Sequence, residues 1–328
     1  MVKAKPFIKW VGGKRQLIGQ LEAHLPADFG KWNDATYIEP FVGGGAMLYY
    51  MLQRYPNIGR AVINDINSDL MTCYHTVRNS PEKLIASLHE IQNAYNGLRT
   101  EEARKDFYLQ ARARYNGKNL DCMENTVLFI FLNRTCFNGL YRVNKKGLFN
   151  VPFGRSEKAQ LCDEDTIMAD SELLQRVEIM TGDFETTINR AQGHTLFYLD
   201  PPYRPLCGTS NFNDYAKQAF NDDAQIRLKH FCDRISSAGH KFMLSNSDGR
   251  GRNVHDIFFD RLYEDYQIER VWAARCVNSD ASKRGKITEI LVRNYKDTQA
   301  ITSDEDAKLE ISPVLVACGR ESARSGRA

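Results

Sequence analysis

Tyr37-Ile38-Glu39-Pro40-Phe41-Val42-Gly43-Gly44-Gly45 runs a strand-like apolar stretch into three glycines. Ala46–Gln53 continues with helical character, and Ala61-Val62-Ile63 reads as a second buried strand ending at Asn64-Asp65. Strand, glycine loop, helix, strand is the opening of a Rossmann-like βαβ unit, so the expected fold class is α/β. Glycines let the backbone turn tightly and meet a ligand with no side chain between. Asp65 stands 20 residues after Gly45, where an acid would meet a ribose hydroxyl. The loop lacks the third glycine of G-x-G-x-x-G, which argues for a nucleoside ligand without a pyrophosphate, S-adenosylmethionine foremost. A tight structural turn is the competing reading.

Outward from this unit the pattern falls into blocks. Lys5–Lys14 is a short apolar segment ending in Gly12-Gly13, and Leu17, Ile18, Leu21 and Leu25 follow at helical spacing until Pro26. Residues 68–130 are mostly helical, with Leu84, Ile85, Leu88 and Ile91 on one face and Val127–Leu132 closing another. Phe137–Arg155, rich in Asn, Gly and Lys, reads as loop or hairpin. Strands return at Val177–Met180, running into Gly182-Asp183-Phe184, and at Leu196–Leu199, ending in Asp200-Pro201-Pro202-Tyr203. Asp222–Ser236 is helical, and Phe242–Ser245 and Ile287–Val292 are the last strands. Two α/β blocks thus flank a helical, basic insertion, with no internal repeat. The expected organisation is a discontinuous α/β domain from 1–74 and 171–295, which the resemblance described below implies to be catalytic, an inserted domain over 75–170, which it implies to be for recognition, and a polar tail over 296–328.

Of the 328 residues, 42% are hydrophobic and 26% charged, which excludes wholesale disorder. The longest clean apolar run, Val127–Leu132, is far short of the roughly 20 residues of a bilayer span, so no membrane association is expected. Lys9, Lys14 and Arg15 interrupt any apolar stretch near the N-terminus, against a secretory signal. The eight cysteines are scattered without C-x-x-C pairs or zinc spacing and read as reduced thiols, implying a cytoplasmic location. The seven histidines show no metal spacing either, so no metal site is expected. The net charge of +3 carries little information, but its distribution does. From Phe131 to Lys158, Arg134, Arg142, Lys145, Lys146, Arg155 and Lys158 oppose Glu157 alone. A second basic cluster lies at Arg275 and Lys283–Lys286. Such blocks suit a local polyanion contact; solvated loops are the bland alternative.

Asp200-Pro201-Pro202-Tyr203 is the most specific motif. Two prolines after an acid at a strand end form a rigid loop that cannot extend the sheet. The exocyclic amine of adenine is a poor nucleophile because its lone pair is delocalised into the ring. A carboxylate oxygen and a proline carbonyl can accept both amine hydrogens, so that the nitrogen pyramidalises and frees its lone pair. The same acceptors stabilise the positive charge that develops there. Tyr203 supplies a face on which a base can stack.

Phe41–Gly45 together with Asp200–Tyr203 resembles the amino-group DNA methyltransferases. The span from about Lys5 to Tyr295 is similar to the Dam family of adenine-N6 methylases that modify GATC sites. The matching stretches are Phe7–Lys14, Glu39–Gly45, Asn64–Asn67, Asn133–Asn144, Phe149–Gly154, Asp200–Tyr203, Leu244–Ser247 and Arg284–Ile290. The resemblance implies a Rossmann-like S-adenosylmethionine-dependent methyltransferase sheet with an inserted, mostly helical DNA-recognition domain. It implies S-adenosylmethionine as cofactor, bound by Trp10, Lys14, Phe41, Gly43, Gly45, Asp65, Asp183 and Asp200, with Lys14 near the methionine carboxylate. Asp200, Pro201, Pro202 and Tyr203 would take the target adenine, which must leave the base stack to be reached. In the hairpin, Phe137 would enter the vacated stack, with Asn138 and Leu140 at the opened site. Arg142 would read a guanine edge, and Lys9 and Pro152 would help at neighbouring bases. Arg134, Lys145, Lys146 and Arg155 would meet phosphates. The implied partner is double-stranded DNA, and a cognate restriction endonuclease acting on the same site, without being bound, is compatible with it.

The same residues bear on other chemistries. Ser-Pro-Pro-Tyr would have pointed to cytosine N4, and Asn-Pro-Pro-Tyr to protein glutamine or RNA. Aspartate leans toward adenine in DNA without excluding these. Asp183-Phe184-Glu185 lacks the following lysine a nuclease would need. A DNA-binding protein without catalysis would leave the glycine loop, Asp65 and Asp200–Tyr203 unexplained together.

Overall fold

Apolar residues in the five-residue strands β1 (Ala35–Glu39) and β4 (Thr195–Leu199) are buried throughout, as expected of strands covered on both faces. They lie side by side at the centre of a seven-stranded sheet of order β3-β2-β1-β4-β5-β7-β6. The other strands are β2 (Ile58–Asp65), β3 (Val177–Thr181), β5 (Lys241–Ser247), β6 (Gln267–Ala274) and β7 (Lys286–Arg293). Pairings among β1 to β5 are parallel, and β7 runs antiparallel between β5 and β6. The strand order reverses between β1 and β4, which makes the crevice beyond their carboxyl ends the place where such sheets bind ligands. The computed structural model describes residues 3–204, 220–251, 253–274 and 286–296, within a compact unit spanning Met1–Asp297. The expected tail beyond residue 296 and the side chains of the second basic cluster lie outside the described residues.

The helices are α1 (Ile18–Ala23), α2 (Ala46–Arg54), α3 (Ser68–Asn79), α4 (Pro81–Asn96), α5 (Glu101–Asn116), α6 (Cys122–Thr135), α7 (Glu164–Leu174), α8 (Asp222–Ser237) and α9 (Phe258–Leu262). Local chemistry sets several of their starts. The side chains of Asn67, Thr100, Asp121, Asp163 and Asn221 each accept a hydrogen bond from a backbone N–H in the first turn of the helix that follows. Pro81 opens α4, where its missing N–H costs nothing. Helix α6 carries the Val127–Leu132 run and is buried on nearly every side, packed among α3, α4 and α5. Among the described residues, no helix is long and apolar enough to cross a membrane.

Helix α7, the short helix α9 and strand β6 go beyond what the sequence pattern indicates: α7 is rich in acids (Glu164, Asp165, Asp170, Glu172), α9 is only five residues long, and β6 is polar. Strand β6 is at the sheet edge and carries Glu269, Arg270 and a 60% exposed Trp272, so it lacks the apolar signature of its buried neighbours. Gln20 covers part of this edge: its side-chain amide donates to the Trp272 carbonyl at 2.8 Å and accepts from the Trp272 N–H at 3.1 Å.

The N-terminal segment joins the helical insertion to the sheet. Buried Asn133, on α6, accepts from the Lys9 N–H at 2.8 Å and donates to the carbonyls of Lys9 at 2.8 Å and Gly139 at 3.1 Å. Replacing Asn133 with alanine would leave these backbone groups without partners. Asn133→Ala is expected to lower unfolding free energy by about 1–3 kcal/mol. A urea titration reads this as a lower midpoint at constant slope, and an unchanged midpoint would show the clamp to be dispensable.

Candidate active site

Four loops meet beyond the carboxyl ends of β1, β2, β3 and β4. After β1, Gly43 and Gly45 adopt φ of +49° and +74°, in the left-handed region that favours glycine. Their neighbours explain the rest of the requirement: a Cβ on Gly43 would lie 2.7 Å from Trp10 Nε1, and one on Gly44 2.9 Å from Trp10 Cβ. The indole therefore rests against the glycine loop. Trp10 also stacks on Tyr141 at 5.6 Å and on Phe129 at 6.5 Å between ring centroids, joining the loop to the insertion. Phe41 packs instead on Phe184 and Phe220.

After β2, Asp65 accepts from the Gly43 N–H at 3.2 Å and from the Asn67 N–H at 3.0 Å, so one carboxylate shapes both loops. Burial raises its pKa against these backbone donors, yet the residue is only half-buried and remains reachable. Asn64, just before it, donates to the carbonyls of Pro40 and Gly182, tying the ends of β1 and β3 together. After β3, Asp183 accepts from Arg227 Nη2 at 2.6 Å and from the Glu185 N–H at 3.0 Å. Partial burial pushes its pKa up, but the Arg227 guanidinium outweighs it and holds the carboxyl below its usual range.

After β4, the Asp200 side chain is 22% exposed and lies 3.0 Å from the ammonium of Lys14. Lys14 is buried, delivered by the 3-10 turn Lys14–Gln16, and its Nζ also lies 3.8 Å from Glu289 Oε2 and 4.4 Å from the centre of the Tyr203 ring. The Tyr203 hydroxyl donates to Glu289 Oε2 at 2.6 Å. Burial pushes the Asp200 carboxyl up to about 6, with Lys14 restraining the rise and Glu289 adding to it. Beneath it, burial pushes Glu39 up to about 8, although the Tyr37 hydroxyl donating to it at 2.6 Å favours its charged form. At neutral pH Glu39 is therefore mostly neutral and adds little repulsion to Asp200.

Pro202 accepts from Gln225 Nε2 at 3.2 Å, and Gln225 in turn accepts from Asn246 Nδ2 at 3.0 Å. Both amides are fully buried. This chain of bonds ties the Pro202 carbonyl to α8 and β5. Arg204 pins the loop further, pairing with Asp222 at 2.8 Å and Asp256 at 3.0 Å.

The insertion presents the remaining expected residues in a hairpin. Val143 bridges Phe149, Cys136 bridges Phe153, and Asn144 Oδ1 accepts from the N–H groups of Lys146 and Leu148 to shape the tip. Lys145 and Lys146 are exposed on that tip, and Lys9, Asn138 and Pro152 are exposed beside the hairpin. Phe137 is 52% exposed, unusual for an aromatic ring in a tightly packed region. Arg142 Nε donates to Asn150 Oδ1 at 2.7 Å, which orients the guanidinium. Leu140 packs on the core, and half-buried Arg134 donates to the Phe7 carbonyl at 2.7 Å. That bond gives Arg134 a scaffolding contact to the N-terminal segment. The Lys14 ammonium faces the Asp200 and Glu289 carboxylates.

Glu289, Gln225 and Asn133 hold the site together, and no role was expected of them from the sequence. For Glu289 a signal existed: one acid among Ile287, Ile290, Leu291 and Val292 implies a buried carboxylate that needs a partner. Gln225 gave none, being one polar residue among many on α8.

Known proteins bear on this arrangement. The type II methyltransferase M.MjaIII of Methanocaldococcus jannaschii is 46% identical over 297 residues, covering 90% of this chain and 100% of that protein. The DNA adenine methylase of Vibrio cholerae is 34% identical over 293 residues, covering 89% and 96%. The DNA adenine methylase of Escherichia coli K12 is 30% identical over 292 residues, covering 89% and 95%. Residues 10–277, which include the glycine loop, the hairpin and Asp200–Tyr203, match the family model of the D12 class N6 adenine-specific DNA methyltransferases, and to that family the chain belongs.

Proposed function

We propose that this adenine-specific DNA methyltransferase acts on duplex GATC sites and turns the target adenine out of the helix into a pocket formed by Asp200, Pro201, Pro202 and Tyr203. The observation that supports the reading is the placement of Asp200 and the glycine loop at the carboxyl ends of the adjacent parallel strands β4 and β1, where the strand order reverses. In the same reading, residues 1–74 and 171–295 form the catalytic part and 75–170 the recognition part. The enzyme works in the cytoplasm, and a cognate restriction endonuclease is a compatible partner.

The residues present fit S-adenosylmethionine. Asp65 offers a half-buried carboxylate for ribose hydroxyls, Gly43 and Gly45 carry the turn after β1 at positive φ without side chains, and Trp10, Phe41 and Asp183 lie on the surrounding loops. Lys14, Asp200 and Glu289 together carry one cation and two carboxylates, a net negative setting suited to a sulfonium cation. When bound, S-adenosylmethionine supplies an electrophilic methyl group. Asp200 and the Pro201 carbonyl accept the two hydrogens of the adenine amine and free its lone pair from the ring. They also stabilise the charge that develops on nitrogen. Lys14 holds Asp200 in place, and Asp200 or water takes the released proton. Tyr203 stacks on the base, which is worth about 1–3 kcal/mol. Phe137, exposed on the hairpin, fills the vacated stack, with Asn138 and Leu140 alongside. Lys9 and Pro152 contribute at neighbouring bases. Arg142, oriented by Asn150, reads a guanine edge, and Lys145, Lys146, Arg134 and Arg155 address phosphates.

Unmethylated plasmid treated with the protein should become resistant to a nuclease that cuts only unmethylated GATC and sensitive to one that cuts only the methylated site. Retained cutting by the first would refute the sequence assignment. Asp200→Ala should reduce methylation by at least about a hundredfold with DNA affinity nearly intact; an active variant would remove the acid from its assigned role. Arg142→Ala should weaken discrimination at one base pair by about 1–3 kcal/mol, measured as the ratio of kcat/KM for GATC and near-cognate duplexes. An unchanged ranking of those duplexes would end its part as a reader. The amine needs Asp200 as a carboxylate, and burial has raised that group to about 6. Single-turnover rates should therefore be flat near neutral pH and fall about tenfold per pH unit below the acid limb near 6. An acid limb near pH 4 would contradict the raised carboxyl.

A further inference from the structure

We propose that Glu289 is a positioning residue for methyl transfer: its carboxylate fixes the Tyr203 ring through the hydroxyl and shares the Lys14 ammonium with Asp200. The inference rests on the Asp200–Tyr203 pocket reading and adds to it a residue from the far end of the chain. Glu289 sits on β7, opposite Ser247 of β5 and Val271 of β6, with its side chain 11% exposed. Packing alone does not call for an acid in this place, since an apolar residue of similar volume in a sheet interior is commonly neutral or stabilising. What the acid supplies is geometry. One oxygen, Oε2, receives the Tyr203 hydroxyl at 2.6 Å and stands 3.8 Å from Lys14 Nζ. The same ammonium lies 3.0 Å from Asp200 Oδ1 and 4.4 Å from the Tyr203 ring centre. Glu289 thus touches the ring on which the substrate base would stack and, through the shared Lys14 ammonium, acts on the acid that would take its amine.

The charged and titratable groups around Asp200 come from each neighbouring element: Lys14 from the N-terminal turn, Glu39 from β1, Tyr198 from β4, Tyr203 from the loop after it, and Glu289 from β7. Lys14 holds the Asp200 pKa down, and the negative charge of Glu289 raises it. Neutralising Glu289 therefore removes an upward influence and leaves the downward one.

The test uses the full chain and a GATC duplex with the target adenine. Glu289→Gln keeps an acceptor for the Tyr203 hydroxyl but loses the charge, and the acid limb of its kcat–pH profile should move at least about half a pH unit lower than in the wild type. Glu289→Ala frees the ring, and kcat should fall about tenfold to a hundredfold. Tyr203→Phe should add little further loss in the Glu289→Ala background, because the hydroxyl then has no acceptor to orient it. A Glu289→Gln profile that superimposes on the wild type, or losses that multiply in the double variant, would overturn the inference. If Glu289→Ala fails to fold, the near-isosteric Glu289→Gln profile decides alone. If Asp200→Ala is fully active the pocket reading falls and takes this inference with it. If Asp200→Ala is inactive and the Glu289→Gln profile is unmoved, only this inference falls.

Discussion

A single ammonium group between two carboxylates holds the catalytic end of the sheet together. Asp200 and Glu289 enter from β4 and β7, and without Lys14 they would be two largely buried acids facing one tyrosine. Taking such charges out of water costs several kcal/mol each unless they are paired and hydrogen-bonded. Lys14 meets that requirement from a one-turn helix that has no place in the sheet, so the N-terminal segment must dock before the active site can exist. The arrangement leaves Asp200 partly open and Glu289 nearly closed, which separates the acid that can touch a base from the acid that supports it.

The same N-terminal segment connects chemistry to recognition. Arg134 reaches the Phe7 carbonyl, Asn133 clamps Lys9, Trp10 lies between the glycine loop and the aromatic stack of Tyr141 and Phe129, and Lys14 ends the run at Asp200. Eight residues thus touch α6, the hairpin, the loop after β1 and the loop after β4. The glycines of the loop serve two ends at once: they allow its turn and give the indole room. A side chain at Gly44 would press on Trp10 and through it on the base of the hairpin.

The hairpin itself is built for exposure. Its tip is shaped by Asn144 rather than by a core, and an aromatic ring, two lysines and an oriented arginine stand on one structure. An exposed phenylalanine beside basic side chains suits a partner that offers both stacked rings and phosphates.

Much was legible in the chain alone. Strand, glycine loop and helix could be read from Tyr37–Gln53, and the Asp200–Tyr203 motif from its place at a strand end, because apolar period, positive φ and proline act over a few residues. The hairpin over 137–155 and most of the helices followed from the same local rules. Helix α7 and edge strand β6 did not, one hidden among acids and the other too polar to resemble its neighbours. The antiparallel seat of β7 between β5 and β6, the pairing of Lys14 with Asp200 and Glu289, the hold of Gln225 on Pro202, and the turn of Arg134 toward Phe7 were decided only by the tertiary structure. These contacts join residues from opposite ends of the chain or from unrelated elements. Their strength comes from burial and fixed geometry, which exist only once the sheet has closed around them.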